Sequence, residues 1–173
     1  MNKMLVVVDI ESDGPVPGLY SMISFGAVVV DRHLDKTFMG KCSPISDRWD
    51  PEALSISGYS RNETMGFNNP NATMYDFNKW LNSFGYKPVF ISDNPAFDWQ
   101  FINYYFHKFV GSNPFGFSAR RIGDIYAGLN LDMGASWKHL RQTKHTHNPL
   151  DDAKGNAEVL LAIADMGVKG IVD

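Results

Sequence analysis

Runs of apolar residues at the start of the chain predict three β-strands. Residues 3–10 (KMLVVVDI) are apolar on both sides of an extended chain, so this strand is predicted to be buried on both faces. Residues 21–31 (SMISFGAVVVD) are rich in β-branched side chains and predict a second strand, and KTFMGKCSPI predicts a third. The short connections between these runs indicate an antiparallel meander.

The rest of the chain is predicted to alternate helices with one further strand, KPVFIS. Asp50 and Pro51 predict a helix start, because Asp caps a helix and proline suits its first turn. Further helices are predicted at about residues 72–84, 95–110 and 149–166, and shorter ones over RRIGDIYAGLN and ASWKHLRQT. Residues 61–71, rich in Asn, Gly and Pro, predict a loop. We therefore expect one α/β domain over residues 1–173, with a mixed sheet flanked by helices.

Composition and charge narrow the class of protein. The 173 residues suffice for one domain with a sizeable core. No apolar run approaches the roughly 20 residues that cross a bilayer, and the amino end lacks a signal-peptide cleavage pattern. A single cysteine, Cys42, fits a reducing compartment, so we expect a cytoplasmic protein without a membrane partner. The net charge of −3 does not indicate nucleic-acid binding, although bound divalent ions reverse the local sign of an acidic site.

Two carboxylates end the most hydrophobic strand, and two more begin helices. Asp9 and Glu11 are two residues apart and point to the same side of the strand. NPAFD and NPLDD each pair an Asn that can cap a helix with a Pro suited to its first position. They place Asp98 and Asp152 at the fourth helical position. Either Asp alone could simply compensate the helix dipole.

Asp98 calls for a stronger explanation. At helical spacing it shares a face with the apolar Ile102, Tyr105 and Phe109. An unpaired buried charge is very costly, and the two acids that end the first strand face the same difficulty. Four such acids brought together would repel one another, whereas hard cations such as Mg²⁺ prefer carboxylate oxygens. The pattern therefore predicts a divalent-metal site.

Taken in order, these motifs resemble those of the DEDDh family of 3′–5′ exonucleases. DIE resembles the family's D-x-E at the end of the first strand, and NPAFD resembles its second motif. HNPLDDA resembles the third, in which a His lies five residues before an Asp, and PEALSISGYSRNE resembles the segment between the first two. The similarity extends over about residues 5–161 and implies a ribonuclease-H-like fold.

The resemblance also implies the roles of individual residues. Two divalent cations, Mg²⁺ or Mn²⁺, would be bound by Asp9, Glu11, Asp98 and Asp152, with His147 as the general base. Asp151 is an alternative to Asp152, and His145 is an alternative to His147. The five-residue spacing and the following Ala153 favour Asp152 with His147. Since no Tyr lies near His147, the sister group with Tyr in its place is excluded.

Groups that could contact a nucleic-acid strand are less sharply marked. Residues 120–144 contain five Lys or Arg against two acids, an excess that could meet phosphates or form a solvated helix face. The aromatic neighbours of Asp98 could stack on a base, although core packing is the commoner role of such residues. The predicted substrate contacts are Ser12, Phe97, Trp99, Arg120, Arg121, Lys138 and Arg141.

The chain departs from the family pattern just after D-x-E. Where many members have Thr, this chain has Asp13, which could cap a turn before Gly14 or add charge near the metals. PVPGLY replaces the short hydrophobic segment that members often wedge against the terminal base. Val16 or Leu19 could serve as that wedge.

These features together predict a metal-dependent exonuclease that releases nucleoside 5′-monophosphates from 3′ ends of single-stranded RNA or DNA. Similarity to small stand-alone members slightly favours RNA and implies, by analogy, a homodimer. Three alternatives stay open: a hydrolase of very short oligonucleotides, a ribonuclease-H-type endonuclease, and a catalytically silent nucleic-acid-binding domain. The intact set of acids argues against the last, because a binding module has no need of buried carboxylates.

Overall fold

The computed structural model describes residues 3–172. It contains a five-stranded mixed sheet flanked by helices. The strands are β1 Lys3–Ser12, β2 Met22–Val29, β3 Thr37–Lys41, β4 Lys87–Ser92 and β5 Ala119–Arg121. The helices are α1 Pro51–Ile56, α2 Arg61–Met65, α3 Pro70–Asn82, α4 Pro95–Tyr105, α5 Ile122–Asn130 and α6 Pro149–Asp165. The strand order is β3-β2-β1-β4-β5. The first three strands pair antiparallel, as the short connections predicted, and β4 and β5 run parallel to β1.

The central strand β1 is buried on both faces, as its apolar run predicted. Its even-numbered side chains from Met4 to Ile10 pack with α3 and α4, while Leu5 and Val7 pack with α5 and α6. The two faces therefore have separate cores, and β1 is the element that both share. Among the described residues, no helix has both the length and the apolar character needed to cross a membrane.

Several element boundaries differ from the sequence predictions. The predicted loop at residues 61–71 instead contains α2, which a reciprocal cap stabilises: Ser60 accepts from the Glu63 backbone, and Glu63 accepts from the Ser60 backbone. The first two residues of the predicted helix RRIGDIYAGLN, Arg120 and Arg121, instead pair with β4 in a short edge strand, and α5 begins at Ile122. The predicted helix at ASWKHLRQT is only a three-residue 3₁₀ turn, and the helix predicted at 95–110 ends in a π-helical turn from Phe106.

Candidate active site

The end of β1 brings two of the predicted acids to the face covered by α6. β1 continues past its predicted end at Ile10 to Ser12, so Asp9 and Glu11 are still within the sheet. Asp9 lies opposite Gly26 of β2, and Glu11 lies opposite Ser24. Because residues two apart on a strand share a face, both carboxylates point toward the amino end of α6.

Gly26 allows α6 to approach the sheet closely at this point. A Cβ atom at Gly26 would lie 2.4 Å from the Leu150 Cα atom, so no larger residue fits without movement of the backbone. Asn148 caps α6 by accepting a hydrogen bond from the Leu150 backbone at 3.0 Å. The first turn of α6 therefore lies directly over β2. One carboxylate oxygen from each of Asp9, Glu11 and Asp152 lies within 4.8 Å of the others.

The fourth acid, Asp98, comes from the first turn of α4. This helix begins just after β4, the neighbour of β1, and Asp98 is only 4% exposed. Its negative charge raises the pKa of both Asp9 and Glu11, so it lies close enough to these two carboxylates to repel them. Two helices thus begin at the acidic cluster, and their positive ends partly offset its charge.

Burial and mutual repulsion disfavour the charged forms of these acids. Burial, followed by the charges of Asp98, Asp152 and Glu11, raises the pKa of Asp9 well above its ordinary value. Burial and the neighbouring acids raise the pKa of Glu11 to about 8, and burial raises that of Asp98 to about 7. A cluster of carboxylate oxygens with a strong excess of negative charge fits a hard divalent cation.

We expect the stability of the metal-free protein to decrease as pH rises. The pKa of Glu11 is about 8 in the folded protein against an ordinary 4.5, so stability conferred by the protonated form is present below pH 4.5 and is lost as pH rises to 8. The melting temperature in chelator should therefore fall over this range, and its increase on adding Mn²⁺ should grow. Differential scanning calorimetry measures both. The Glu11→Gln variant should show a flatter profile, and an equally steep profile in that variant would contradict the assignment.

Two histidines, not one, lie beside the acids. The Nδ1 atom of His147 is 3.8 Å from Glu11 Oε1, and that of His145 is 3.0 Å from Asp152 Oδ1. Their ring centres are 4.3 Å apart. His147 has a left-handed backbone (φ 60°), which is uncommon outside glycine, and its N–H donates to Asp152 Oδ2 at 2.9 Å. The spacing of the third motif singled out His147 and did not reveal that His145 also contacts Asp152.

The tandem acids of α6 have different surroundings. Asp152 is fully buried and belongs to the cluster with Asp9 and Glu11. Asp151 is exposed and lies near the Thr146 hydroxyl at 3.4 Å, outside that cluster. Asp152, and not Asp151, therefore lies with the two acids that end β1.

Three of the predicted substrate contacts are engaged within the protein. Ser12 is buried, and its hydroxyl donates to the Gly14 carbonyl at 2.7 Å, so its one O–H donor is engaged within the protein. Trp99 packs edge-on against Phe90, with ring centres 5.1 Å apart, and Phe97 is half-buried against the core of the same face. Core packing explains both aromatic residues, because each adds to the apolar contacts of α4.

The predicted basic contacts separate into three locations. Arg120 lines a cavity of about 360 Å³ at the opposite end of β1, beside Leu5 and Val89, and none of the four acids is among the residues described there. Arg121 and Lys138 line a depression of about 490 Å³ next to the start of α4. Arg141 is mostly buried and forms an ion pair with Asp152, and it also lines a neighbouring depression of about 550 Å³.

A groove runs from His145, which contacts Asp152, toward these exposed basic residues. The depression of about 490 Å³ adjoins a second one of about 550 Å³, and the two share Asp93, Trp137 and Lys138. The second depression reaches His145, and the first reaches Arg121. We refer to the two together as the His145–Arg121 groove. Its polar and charged lining suits a ligand that carries charge.

Asp13 holds the loop at residues 14–20 in place. It is fully buried, accepts a hydrogen bond from the Ser21 backbone at 2.5 Å and pairs with Arg61 at 2.6 Å. The sequence did not reveal Arg61 as its partner. Val16 and Leu19 are exposed on this loop, at 43% and 51%, and the loop contacts α4 through the Gln100 side chain, which donates to the Pro15 carbonyl at 3.2 Å.

Comparisons with known proteins agree with this geometry. No protein-family model matches the chain. The 3′–5′ DNA exonuclease Cap18 of Escherichia coli is 36% identical over 185 residues, which cover 99% of this chain and 97% of Cap18. At this identity and coverage, the two proteins belong to one family.

Solved structures confirm the predicted ribonuclease-H-like fold. The zinc-bound complex of E. coli exonuclease I with single-stranded DNA matches with a TM-score of 0.75 and 17% identity, over 98% of this chain and 42% of that one. Cell-death related nuclease 4 matches with a TM-score of 0.77 and 17% identity, over 97% and 66%. The chain thus spans less than half of exonuclease I and about two thirds of the nuclease.

The family assignment rests on agreement between the motifs, their placement and the similarity to Cap18. DIE ends the central strand, while NPAFD and HNPLDDA begin the two helices that bring Asp98 and Asp152 to it. The similarity to Cap18 covers all three motifs, because it extends over nearly the whole chain. The protein is thus a 3′–5′ exonuclease acting on nucleic acid, and the chain belongs to the DEDDh family.

Proposed function

We propose that this protein removes nucleotides one at a time from the 3′ ends of single-stranded DNA and releases nucleoside 5′-monophosphates. The observation that carries the proposal is the convergence of four acids with His147 facing Glu11. We propose DNA in place of RNA, which the similarity to small stand-alone members slightly favoured, because Cap18 is a DNA exonuclease. Solved complexes of exonuclease I with dA16 and dT13 oligonucleotides support a single-stranded substrate.

The residues present fit two divalent cations, Mg²⁺ or Mn²⁺, held by Asp9, Glu11, Asp98 and Asp152. When bound, such ions stabilise the charge on the attacking and leaving oxygens of the phosphodiester. The chain supplies the carboxylates that would hold these ions. The first turns of α4 and α6 fix two of those carboxylates, Asp98 and Asp152. Because these groups are already positioned by the sheet, α4 and α6, little reorganisation accompanies the reaction.

His147 is proposed to accept the proton of the attacking water. Its side chain is 48% exposed on the loop before α6 and faces Glu11, so it can reach a water molecule at the cluster. The water oxygen forms a bond to phosphorus, and the bond from phosphorus to the 3′ oxygen of the preceding nucleotide breaks. That oxygen takes a proton and becomes the new 3′ hydroxyl, while the terminal nucleotide leaves as a 5′-monophosphate.

A digest of matched DNA and RNA strands tests the proposal. Single strands labelled at the 5′ end, both long and very short, are incubated with Mg²⁺ or Mn²⁺, and the released nucleotides are identified by chromatography. We expect a descending ladder, faster on DNA, with 5′-monophosphates as products. The Asp98→Asn variant is the control for contaminating nucleases. Faster digestion of RNA, internal cuts, activity on very short strands alone, or binding without cleavage would each contradict the proposal.

The His145–Arg121 groove is proposed to hold phosphates of the bound strand through Arg121 and Lys138. Neutralising both residues should weaken DNA binding and reduce the slope of log K against log salt by about 0.7 for each lost phosphate contact. Fluorescence anisotropy over a series of salt concentrations measures this slope. Arg120→Ala is the matched control, because Arg120 lines the separate cavity at the other end of β1. A slope reduced equally by the control would refute the assigned path.

A further inference from the structure

The Arg141 side chain lies in a recess on α6 and contacts the acidic cluster directly. It is 13% exposed, and each of its three guanidinium nitrogens has a partner within the protein. Nη2 donates to Asp152 Oδ1 at 2.5 Å, Nε donates to the Thr143 carbonyl at 2.6 Å, and Nη1 lies 3.4 Å from Asn156 Oδ1. The bonds to Thr143 and Asn156 fix the plane of the guanidinium, and with it the direction of the Nη2 group that donates to Asp152.

The recess exists because α6 has a glycine within its buried face. A Cβ atom at Gly155 would lie 2.3 Å from the Arg141 Nε atom, so the guanidinium occupies the space that any other side chain would fill. Glycine within a helix lowers its stability relative to alanine. The helix thus contains a locally unfavourable residue at the one turn where Arg141 lies against it.

The segment that carries both histidines is fastened to the same side of α6. Glu158 accepts hydrogen bonds from the Gln142 and Thr143 backbones at 3.0 and 2.7 Å. Asp152 accepts from the Thr146 and His147 backbones at 3.1 and 2.9 Å. Arg141 lies between these two anchors. Its contacts therefore link the position of the Asp152 carboxylate to that of the loop that ends at His147.

We propose that Arg141 is a positioning residue for the metal-binding carboxylate Asp152 and for the histidine loop. The guanidinium holds one oxygen of Asp152, so that the carboxylate faces Asp9 and Glu11, and it fixes the start of the segment that leads to His147. This inference rests on the proposed metal-binding role of Asp152. The phosphate contact expected of Arg141 stays a separate prediction, because three of its five N–H groups are engaged within the protein and the side chain lines the second depression of the His145–Arg121 groove.

Positioning and simple electrostatics predict opposite effects on metal binding. Arg141 is a cation beside a cation site, so charge alone predicts tighter metal binding when it is neutralised. Positioning predicts weaker binding, because Asp152 loses the contact that orients it. Residues that orient metal ligands typically contribute 10–100-fold to metal affinity. The sign of the change therefore separates the two explanations.

Three variants test the inference, first through Mn²⁺ affinity without DNA and then through the exonuclease assay. Arg141→Met removes the charge and keeps much of the length, Arg141→Lys keeps the charge and loses the fork, and Gly155→Ala keeps Arg141 but fills its recess. Mn²⁺ affinity is measured by calorimetry at a temperature where each variant is folded, as circular dichroism verifies. We expect about 10-fold weaker binding or more in all three. The exonuclease assay should show a higher Mn²⁺ concentration for half-maximal rate. The fold-increase in that concentration should exceed the fold-decrease in kcat at saturating Mn²⁺. Arg120→Met is the matched control and should bind Mn²⁺ as the unmodified protein does.

A double-mutant cycle tests the recess itself. Gly155→Ala should lower the melting temperature of the unmodified protein, because the added methyl group displaces the guanidinium. In an Arg141→Ala background the same substitution should raise it, because the recess is empty and alanine favours the helix. Scanning calorimetry of the four proteins gives both signs. The same sign in both backgrounds would overturn the proposed packing.

The outcomes also separate this inference from the proposed function. Unchanged or tighter Mn²⁺ binding in Arg141→Met and Gly155→Ala, together with its loss in Asp9→Asn, would overturn the positioning role and leave the metal site intact. Full Mn²⁺ binding by Asp9→Asn would overturn both, because the acids would then not hold the cation. Weaker binding in the three variants, with Arg120→Met unaffected, is the result that supports the inference.

Discussion

Replacing Asp9 by asparagine is expected to abolish exonuclease activity and also to stabilise the metal-free fold. Asp9 lies among three other carboxylates, and both burial and their charges raise its pKa. Removing its charge relieves this repulsion, and each kcal/mol gained raises the melting temperature of a domain of this size by about 2–4 °C. The same change removes a proposed metal ligand. Metal ions contribute several kcal/mol to such reactions, so the rate should fall roughly 10³-fold or more.

Three measurements on Asp9→Asn check this prediction. Scanning calorimetry in chelator at about pH 8 should show a higher melting temperature, and the increase caused by Mn²⁺ in the unmodified protein should disappear. Single-turnover digestion of a labelled strand gives the rate. Asp151→Asn is the matched control, since Asp151 is an exposed acid next to the cluster and outside it. Near-normal turnover by Asp9→Asn, or an equal loss in the control, would show that the cluster is not the metal site.

Substituting His147 is expected to slow the chemical step while leaving metal binding nearly intact. Asparagine is the most suitable replacement, because it tolerates the left-handed backbone at this position better than most residues do. The backbone N–H that bonds to Asp152 is retained. Loss of a general base typically costs 10²–10⁴-fold in rate, or about 3–5 kcal/mol. Hard ions such as Mg²⁺ favour oxygen ligands, so their affinity should change little.

His145→Ala provides the comparison, and its effect should be much smaller. His145 contacts the Asp152 oxygen that Arg141 also holds, whereas His147 faces Glu11. Single-turnover rates and calorimetric Mn²⁺ affinities for His147→Asn and His145→Ala distinguish the two histidines. If His145→Ala is instead the variant that loses the chemical step, the base has been assigned to the wrong histidine of the segment KHTHN.

The sequence predicted the elements whose pattern is long or whose ends are chemically marked. The central strand followed from its apolar run, and α4 and α6 from the Asn-Pro pairs that begin them. The short strand β5 was missed because three residues are too few to show a period. The helix α2 was missed although Ser60 and Glu63 form a capping box, because the Asn and Gly that follow favoured a loop.

The site was predicted through its acids and not through the residues that arrange them. The sequence alone does not distinguish an exposed arginine from a buried one. The difference between Arg120 and Arg141 depends on what packs against each side chain. The recess at Gly155 and the partner of Asp13 both involve residues distant in sequence. Such pairings arise from tertiary contacts, and a single sequence has no local signal for them.

Gly26 has a consequence for how a mutational scan of this protein would be interpreted. It has no functional group, yet it lies opposite Asp9 and permits the close contact between β2 and the start of α6. A scan scored by activity would rank it with the acids, although it takes no part in the chemistry. Loss of activity on substituting Gly26 would then reflect only the short distance between the backbones of β2 and α6. A search for catalytic residues by loss of function would therefore need to measure whether Gly26 variants are folded. Without that measurement, a residue that only permits close packing would be classed as catalytic.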